Sequence, residues 1–426
     1  MKFSFRGAGA VRTLGTGLVM QTLLSGANFA VGLILIRRTS DLQYSYYILA
    51  TNALLLLTAL QTSFIQPYIV SNLTTLDAAG RHDLVGALLR TNRHTVPTVC
   101  AIALSVTLGF WAFGGLSTEV ALLVTVALIA GGMALTREFV RTTLFAYRRP
   151  TAVLPADLAF VAVLVCGAFL ATLAEHAASL AVASIALAQL IGFLILRKAL
   201  WRYEPWNTRT TDNVLGKIAA AGAWAILGSG IHWLLIQGYS YLVAGVLDIR
   251  DIAAIAATRL TLMPVFVLSG GVSMLLYPMT SRWVHDVGPR GATKRLLLLV
   301  AALGLAALLY MTIMWLLRGW IFAVVLKKSF PHRDSLLLLW SSVFLVTLCR
   351  DQLGTLPAAA ARFRDMTLMT GFSAVIWLLS SYLAMKSYGP PGAVLGILIG
   401  EVVNMAGILF LIFRETRHPK AAAPAL

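Results

Sequence analysis

Arg259 is the residue whose type and position most clearly indicate chemistry, because it lies about eight residues into an apolar run at 252–277. A guanidinium at that depth in a membrane is costly unless it faces protein or water. Its planar fork donates paired hydrogen bonds to phosphate or carboxylate oxygens and stays charged. The residue therefore predicts a cavity-lining cation that meets an anionic substrate group. The alternatives are a structural ion pair and a side chain that reaches the membrane surface.

Two other apolar runs, the first and the seventh of the chain, carry polar side chains at helical spacing. Gln21, Ser25 and Asn28 recur at i, i+4 and i+7, which places them on one face of a helix. In the seventh run Gln237 lies on a polar face and His232 on a neighbouring one. These residues predict a substrate-binding hydrophilic lumen. The alternative is helix–helix hydrogen bonding, which contributes about 0.6 kcal/mol per contact.

Two carboxylates lie within apolar runs and are candidates for coupling transport to an ion. Glu401 lies near the middle of the run at 392–413, and Asp157 near the start of the run at 152–174. Intramembrane carboxylates of this kind often relay protons, and Na⁺ is the other ion such a site takes. A structural pairing with a basic side chain is the alternative for both, and the end position of Asp157 favours it.

The sequence predicts no catalytic cluster, no metal site and no bound cofactor. The three cysteines, Cys100, Cys166 and Cys349, lie in apolar stretches without CxxC spacing. No glycine-rich phosphate loop of the kind found in ATPases is present. An ion gradient, the membrane potential or the gradient of the substrate must then supply the energy for transport.

The composition indicates a helical membrane protein that positions these residues. Of 426 residues, 59% are hydrophobic and only 12% are charged, and the mean hydropathy is +0.82. Soluble domains average about 25% charged residues, so a soluble enzyme, a disordered chain and a nucleic-acid-binding domain are excluded. A membrane β-barrel is excluded as well, because its alternating strands give a weak hydropathy signal.

Twelve apolar runs are long enough to cross a membrane, at about 20 residues each. They lie at 14–36, 46–70, 96–115, 119–136, 152–174, 177–196, 219–247, 252–277, 296–317, 335–356, 366–386 and 392–413. The sequence thus predicts an all-α polytopic membrane protein with twelve transmembrane helices.

The basic residues predict the orientation of the spans. The net charge is +17, from 34 Lys and Arg against 17 Asp and Glu. If the N-terminus is cytoplasmic, 24 basic residues fall on the cytoplasmic side, eight on the other, and two (Arg259 and Arg350) within spans. Because Lys and Arg accumulate in cytoplasmic segments, this three-to-one bias predicts that both termini are cytoplasmic.

Two local features predict departures from plain spans. The segments at 71–95 and 197–218 each carry an amphipathic stretch, such as the one at 84–89, which predicts helices lying on the inner leaflet. In the eighth run, Pro264 and the pair Gly270-Gly271 predict a kinked helix.

A weak internal repeat relates the two halves of the chain. DLQYSYYILATNALL, from Asp41, and DIRDIAAIAATRLTL, from Asp248, share five identities in fifteen positions at an offset of 207 residues. This offset aligns spans 1–6 with spans 7–12 in the same orientation, an arrangement known in transporters. It also aligns Asn52 with Arg259, which adds Asn52 to the predicted cavity. The predicted domains are a bundle at 1–198, a linker at 199–218 and a second bundle at 219–426.

Several segments resemble the MOP flippase superfamily, and in particular its branch that translocates O-antigen or exopolysaccharide repeat units. They are IRRTSDLQYSYYILATNALLLL, REFVRTTLFAYRRP, AGVLDIRDIAAIAATRL and LYPMTSR. Family members usually carry Gly-Pro and a later Gly between spans 1 and 2, where this chain has Ser40-Asp41 and Ser45, so it is a divergent member. The resemblance implies two parallel six-helix bundles of the MATE type, and a cationic central cavity in which Arg259 meets pyrophosphate.

The function that this resemblance implies is flipping of an undecaprenyl-pyrophosphate-linked oligosaccharide to the outer leaflet, for polysaccharide or lipopolysaccharide biosynthesis. The implied setting is the bacterial inner membrane, with membrane lipids, a polysaccharide polymerase and export proteins as partners, and no nucleic acid. One alternative is a MATE-like exporter of drugs or metabolites, which would need an acidic cavity if its substrates are cations. Another is a membrane-embedded polymerase or glycosyltransferase, which would need a large external loop or clustered acids.

Overall fold

The computed structural model describes residues 8–73, 76–147, 149–203, 206, 214–360 and 362–417, and the described chain is helical. The chain divides into two compact units, Met1–Trp233 and Leu234–Leu426. The helices of the first unit are α1 Ala8–Arg38, α2 Asp41–Leu73, α3 Ala78–Ala112, α4 Thr118–Ala146, α5 Pro150–Ala171 and α6 Ala177–Tyr203, with α7 Val214–Gln237 ending just past the division. The second unit contains α8 Tyr239–Val246, α9 Asp251–Leu316, α10 Arg318–Trp320, a π-helical turn Ile321–Leu326, α11 Arg333–Ala359, α12 Phe363–Tyr388 and α13 Pro390–Arg417.

Ten helical segments of the described chain are long and apolar enough to cross a membrane. They coincide with ten of the twelve predicted runs, and α9 provides two of them, Asp251–Ser273 and Leu276–Leu316. The runs at 14–36 and 219–247 fall on α1 and on α7 with α8. The all-helical, multi-pass membrane architecture is therefore confirmed, whereas the count of twelve and the side of the termini stay predictions.

The inner part of α3 corrects one sequence expectation. The stretch at 84–89 was expected to lie on the leaflet, but Leu84, Val85 and Leu88 are buried in the core of the first unit. They pack with side chains of α4 and α6 such as Leu144 and Leu196. The prediction was wrong because an amphipathic face fits a neighbouring helix as well as it fits a lipid surface.

The two units repeat the same pattern of internal helix packing. In the first unit α4 packs against α2 and α6, and α5 packs against α6; in the second α11 packs against α9 and α13, and α12 packs against α13. Helices α5 and α12 begin 213 residues apart, and so do α6 and α13. This correspondence supports the internal repeat that the sequence identities indicate.

Helix α9 is interrupted at Gly288, which was not predicted from the sequence. Its backbone leaves helical φ and ψ values at Gly288, with φ 71° and ψ 171°, whereas the kink predicted at Pro264 and the pair Gly270-Gly271 stays a prediction. Glycine adopts that φ without the penalty that a Cβ would impose. Pro289 follows it and cannot donate a backbone hydrogen bond, so one helix ends and the next begins there.

Candidate functional site

Arg259 and Gln237, both predicted as substrate-binding residues, are brought together in the second unit. The Nη1 atom of Arg259 donates a hydrogen bond to Oε1 of Gln237, at 2.8 Å. Gln237 ends α7, and Arg259 lies two turns into α9, so the contact joins two helix segments that Gly238, α8 and a short connection separate along the chain. A neutral amide oxygen thus holds one arm of the guanidinium.

Two aromatic rings complete the surroundings of the Arg259 guanidinium. Its central carbon lies 5.8 Å from the ring centroid of Tyr239 and 5.5 Å from that of Trp340, within the range of cation–π attraction. Both rings are buried and meet edge to face, with centroids 5.6 Å apart. The indole N–H of Trp340 donates to the carbonyl oxygen of Ile255, at 3.2 Å, which fixes α11 against α9.

The charge of Arg259 is not neutralised by any carboxylate among the described residues. Its side chain is half-buried, and its Nε atom is buried without a hydrogen-bond partner in the described structure. The amide oxygen of Gln237 and two ring faces stabilise a guanidinium but carry no formal charge. The site therefore retains a full positive charge within a span, together with a free N–H donor.

The arginines that are buried in the described chain differ from the half-buried Arg259 in having acidic partners. In the first unit Arg137, on α4, forms a salt bridge with Asp157, on α5, which is fully buried. Arg137 also donates to Oε1 of Gln189, on α6, at 3.2 Å, and its guanidinium lies 4.3 Å from the ring centroid of Phe160. This arginine joins α4, α5 and α6, so the surroundings of Asp157 are those of a structural ion pair.

Glu401, the second candidate for ion coupling, also pairs with an arginine. Its Oε2 atom lies 2.7 Å from Nη1 of Arg350, and Nη2 of Arg350 lies 2.7 Å from Oδ1 of Asp351. Arg350 and Glu401 are both buried. The pair joins α11 to α13, the counterparts of α4 and α6 in the repeat.

A third buried ion pair joins the start of α12 to the end of α13 in the second unit. Nε and Nη2 of Arg362 donate to Oε2 of Glu415, at 3.0 and 2.9 Å. The three carboxylates that are buried in the described chain, Asp157, Glu401 and Glu415, thus each meet an arginine.

The remaining predicted site residues belong to the first unit. Asn52 is buried on α2, and its carbonyl oxygen accepts a hydrogen bond from the indole of Trp233, at 3.0 Å. Asn28 on α1 and His232 on α7 are exposed. Gln21 also lies on α1, but its side chain is outside the described residues. The contact of Arg259 with Gln237 belongs to the second unit, and the role of these four residues in substrate binding stays a prediction.

Comparison with known proteins shows which fold positions these residues. No protein-family model matches the chain, and no curated protein matches it. An inward-facing multidrug resistance MATE family transporter of the MOP superfamily matches with a TM-score of 0.76 at 14% identity, over 95% of this chain and 96% of that one. MATE in complex with MaL6 gives 0.67 at 14%, over 96% of both chains. The lipid II flippase MurJ, in an inward closed conformation, gives 0.70 at 12%, over 94% and 87%.

The chain has the fold of these proteins. The MATE-like, MOP-type fold that the sequence resemblance implied is confirmed over nearly the whole chain. The identities of 12% and 14% carry no information about the substrate. Membership of the polysaccharide branch stays a prediction.

The two aromatic residues that flank Arg259 were not predicted from the sequence. Tyr239 lies two residues beyond Gln237, and Trp340 lies 81 residues beyond Arg259, on a different helix. An aromatic residue in a span is common and gives no signal of its own. A cation in a span needs stabilising neighbours, however, and the position of Tyr239 close to Gln237 in the sequence was a signal that could have identified it.

Proposed function

We propose that the protein is a flippase that moves an undecaprenyl-pyrophosphate-linked oligosaccharide from the inner to the outer leaflet by alternating access. Its setting is the bacterial cytoplasmic membrane, in a pathway of polysaccharide export that includes a polymerase and export proteins. The fold supports a transporter of the MOP type. The anionic class of the substrate rests on Arg259.

The observation that carries the proposal is a cation in a span with neutral partners. Arg137, Arg350 and Arg362 each meet a buried carboxylate, whereas Arg259 meets Gln237, Tyr239 and Trp340. A buried charge without a counter-charge is costly, and an anionic ligand offsets that cost when it binds. Pyrophosphate suits the site because guanidinium N–H groups pair with phosphate oxygens in a planar, two-point geometry.

Each neighbour of Arg259 has a definite part in this proposal. Gln237 holds Nη1, which orients the fork and leaves Nε for the ligand. The Tyr239 and Trp340 rings limit rotation of the guanidinium and stabilise its charge while the site is empty. The polar residues of the first unit, Gln21, Asn28, Asn52 and His232, contribute further hydrogen bonds to the substrate.

Export of cationic drugs is the runner-up, and the buried carboxylates disfavour it. An exporter of cations needs a carboxylate whose charge faces the substrate. The buried carboxylates of the described chain are all engaged by arginines. Coupling to H⁺ or Na⁺ through Glu401 or Asp157 is subject to the same objection, because the ion would have to displace an arginine.

The test uses the full-length protein in liposomes that contain a fluorescent polyprenyl-pyrophosphate oligosaccharide. Flipping is followed by quenching of the fluorophore exposed in the outer leaflet. A charge-assisted hydrogen bond contributes about 1.5–3 kcal/mol, so Arg259→Ala should slow flipping about tenfold or more. Arg259→Lys, which keeps the charge and loses the fork, should be intermediate. Arg259→Glu should be inactive.

The matched control is Arg250→Ala, which removes an exposed arginine at the start of the same helix. It should flip the lipid at the wild-type rate. All variants are compared at equal amounts of folded, reconstituted protein. Wild-type flipping by correctly folded Arg259→Ala would overturn the assignment of Arg259 to the pyrophosphate.

A further inference from the structure

An open cavity with both polar and apolar walls lies at one end of the second unit, and Arg259 is not among the residues that line it. Its volume is about 450 Å³, and it opens to the surface. The residues that line it come from the start of α11, the end of α12 and the start of α13. They are His332, Ser335, Ser387, Tyr388, Gly389 and Pro391. The charge bias of the sequence places this end of the helices on the outer side of the membrane.

The backbone at the rim of the cavity is held in unusual conformations. His332 has a φ of 59°, in the left-handed region, which is unfavourable for any residue that has a Cβ atom. Gly389 has a φ of 59° and a ψ of −139°, which only glycine adopts readily. His332 immediately precedes α11 and Gly389 immediately precedes α13. The backbone conformations of these two residues therefore shape both turns at the rim of the cavity.

The side chains of the cavity are polar but uncharged, apart from the histidine. Ser335 and Ser387 offer hydroxyl groups that donate and accept hydrogen bonds, and His332 offers ring nitrogens. Tyr388 is 63% exposed, so its ring face and hydroxyl are available to a ligand. The ring of Pro391 adds an apolar wall. A sugar has the matching surface, because its hydroxyl groups alternate with apolar C–H faces.

We propose that this cavity binds one or two neutral sugar residues of the oligosaccharide as it reaches the outer leaflet. The inference rests on the proposed function, since it names a glycan-binding site for the same substrate. The sugar face packs against the Tyr388 ring, and its hydroxyl groups bond to Ser335, Ser387 and His332. The fully charged pyrophosphate pairs with Arg259, and the glycan pairs with the neutral cavity.

The first experiment measures sugar binding directly. Purified full-length protein in detergent is titrated with lactose, cellobiose or chitobiose and, separately, with sodium pyrophosphate, while saturation-transfer NMR reports the bound ligand. Loss of one aromatic packing contact weakens binding about fivefold or more, so Tyr388→Ala should weaken binding of at least one disaccharide by that factor. Tyr388→Trp keeps a ring and should bind it. Ser335→Leu fills the cavity and should abolish binding.

The matched control is Tyr382→Ala, which removes an exposed tyrosine from the same helix outside the cavity. It should leave disaccharide binding unchanged. If none of the three disaccharides binds folded wild-type protein, or if Tyr388→Ala binds them as well as wild type, the proposal is overturned. Pyrophosphate binding that Tyr388→Ala abolishes would show an anion site and overturn it as well.

The same titrations separate this inference from the proposed function. Arg259→Ala should lose pyrophosphate binding and keep the disaccharide, and Tyr388→Ala should do the reverse. In flipping assays Tyr388→Ala should slow a lipid that carries the full oligosaccharide and leave a lipid with a single sugar unaffected. Equal slowing of both lipids would contradict a glycan-specific site.

Discussion

At the scale of single residues, the surroundings of Glu401 decide between two roles. A coupling carboxylate must bind and release its ion, whereas Glu401 is buried 2.7 Å from a buried arginine. When both partners of an ion pair are buried, the pair is a structural contact, and removing one partner leaves the other as an unpaired buried charge. We therefore expect Glu401 to hold α13 against α11.

The prediction for Glu401 compares a single with a double substitution. Glu401→Leu should destabilise the protein by about 3 kcal/mol, the lower end for a broken buried pair, because Asp351 still pairs with Arg350. Replacing both partners, as in Arg350→Met with Glu401→Leu, should restore most of that stability, since a buried pair and an apolar pair are often equivalent. Unfolding of the purified variants in detergent measures the effect.

Flipping assays on the same double variant test the coupling role. If Glu401 is structural, the stable double variant should move the substrate at close to the wild-type rate. A double variant that is as stable as wild type but does not transport would assign the coupling ion to this pair. Asp351→Asn is the matched control, because it removes a carboxylate from the same arginine at a partly exposed position.

The sequence could identify which single residues are unusual but not how they pair. Arg259, Glu401 and Asp157 are conspicuous because they are charged within apolar runs. Their partners lie on other helices: Asp157 lies 20 residues beyond Arg137, and Glu401 lies 51 beyond Arg350. Which helices are neighbours depends on tertiary packing, and hydropathy carries no information about it. The lack of a carboxylate next to Arg259 therefore became visible only in the structure.

At the scale of helices, the absence of one side chain allows α6 to approach the buried ion pair of the first unit. A Cβ placed on Gly192 would lie 2.6 Å from Nε and 2.8 Å from Cδ of Arg137. Those atoms are in the middle of a side chain that the salt bridge to Asp157 and the hydrogen bond to Gln189 hold in place. Arg137 cannot move aside without weakening these contacts.

The prediction for this helix contact is that Gly192→Ala destabilises the protein. Overpacking of a filled site costs about 1–3 kcal/mol, so the temperature of half-unfolding in detergent should fall. The control is Gly109→Ala on α3, where a Cβ would meet nothing within 4 Å. Alanine is the better helix former, so this control should match or exceed wild-type stability. A Gly192→Ala protein that is as stable as the control would contradict the close approach.

The existence of the helices and their approximate bounds could be predicted from the sequence, because the apolar composition of each run determines them. Apolar runs gave the existence and approximate bounds of the helices, because a membrane span must satisfy all its backbone groups internally. The stretch at 84–89 was assigned to the lipid surface, yet it packs into protein, since both environments accept the same apolar face. The break in α9 at Gly288 was not predicted, because a glycine with a positive φ gives no signal in the hydropathy of the run.

At the scale of the whole molecule, the internal repeat and the charge bias describe one arrangement. A chain whose halves repeat the same order of helices, with an even number of spans in each, places equivalent ends on the same side of the membrane. In the predicted topology the turns at Gly114, between α3 and α4, and at Gly389, between α12 and α13, lie outside. The same topology predicts that the connections at Arg149, between α4 and α5, and at Gly288, within α9, lie inside.

This arrangement predicts which positions a membrane-impermeant maleimide reaches in intact cells. In a background in which Cys100, Cys166 and Cys349 are replaced by alanine, single cysteines are introduced at helix ends. Gly115→Cys, Glu175→Cys and Ser387→Cys should be labelled, because they lie in turns or at a helix end on the side predicted to hold eight of the basic residues. Arg149→Cys and Arg290→Cys should be labelled only after the cells are opened.

Each labelling result tests a different part of the arrangement. Arg290 and Ser387 lie in the second unit, on opposite sides of three predicted spans, so labelling of both in intact cells would require a missed or an additional span there. Glu175 and Arg149 test α5 of the first unit in the same way. Protection of Ser387→Cys in intact cells would also place the sugar cavity on the cytoplasmic side, where a glycan would be bound before translocation rather than after it. The positive-inside bias of 24 basic residues against eight favours the outer side, because reversing it would move most of the Lys and Arg side chains across the membrane.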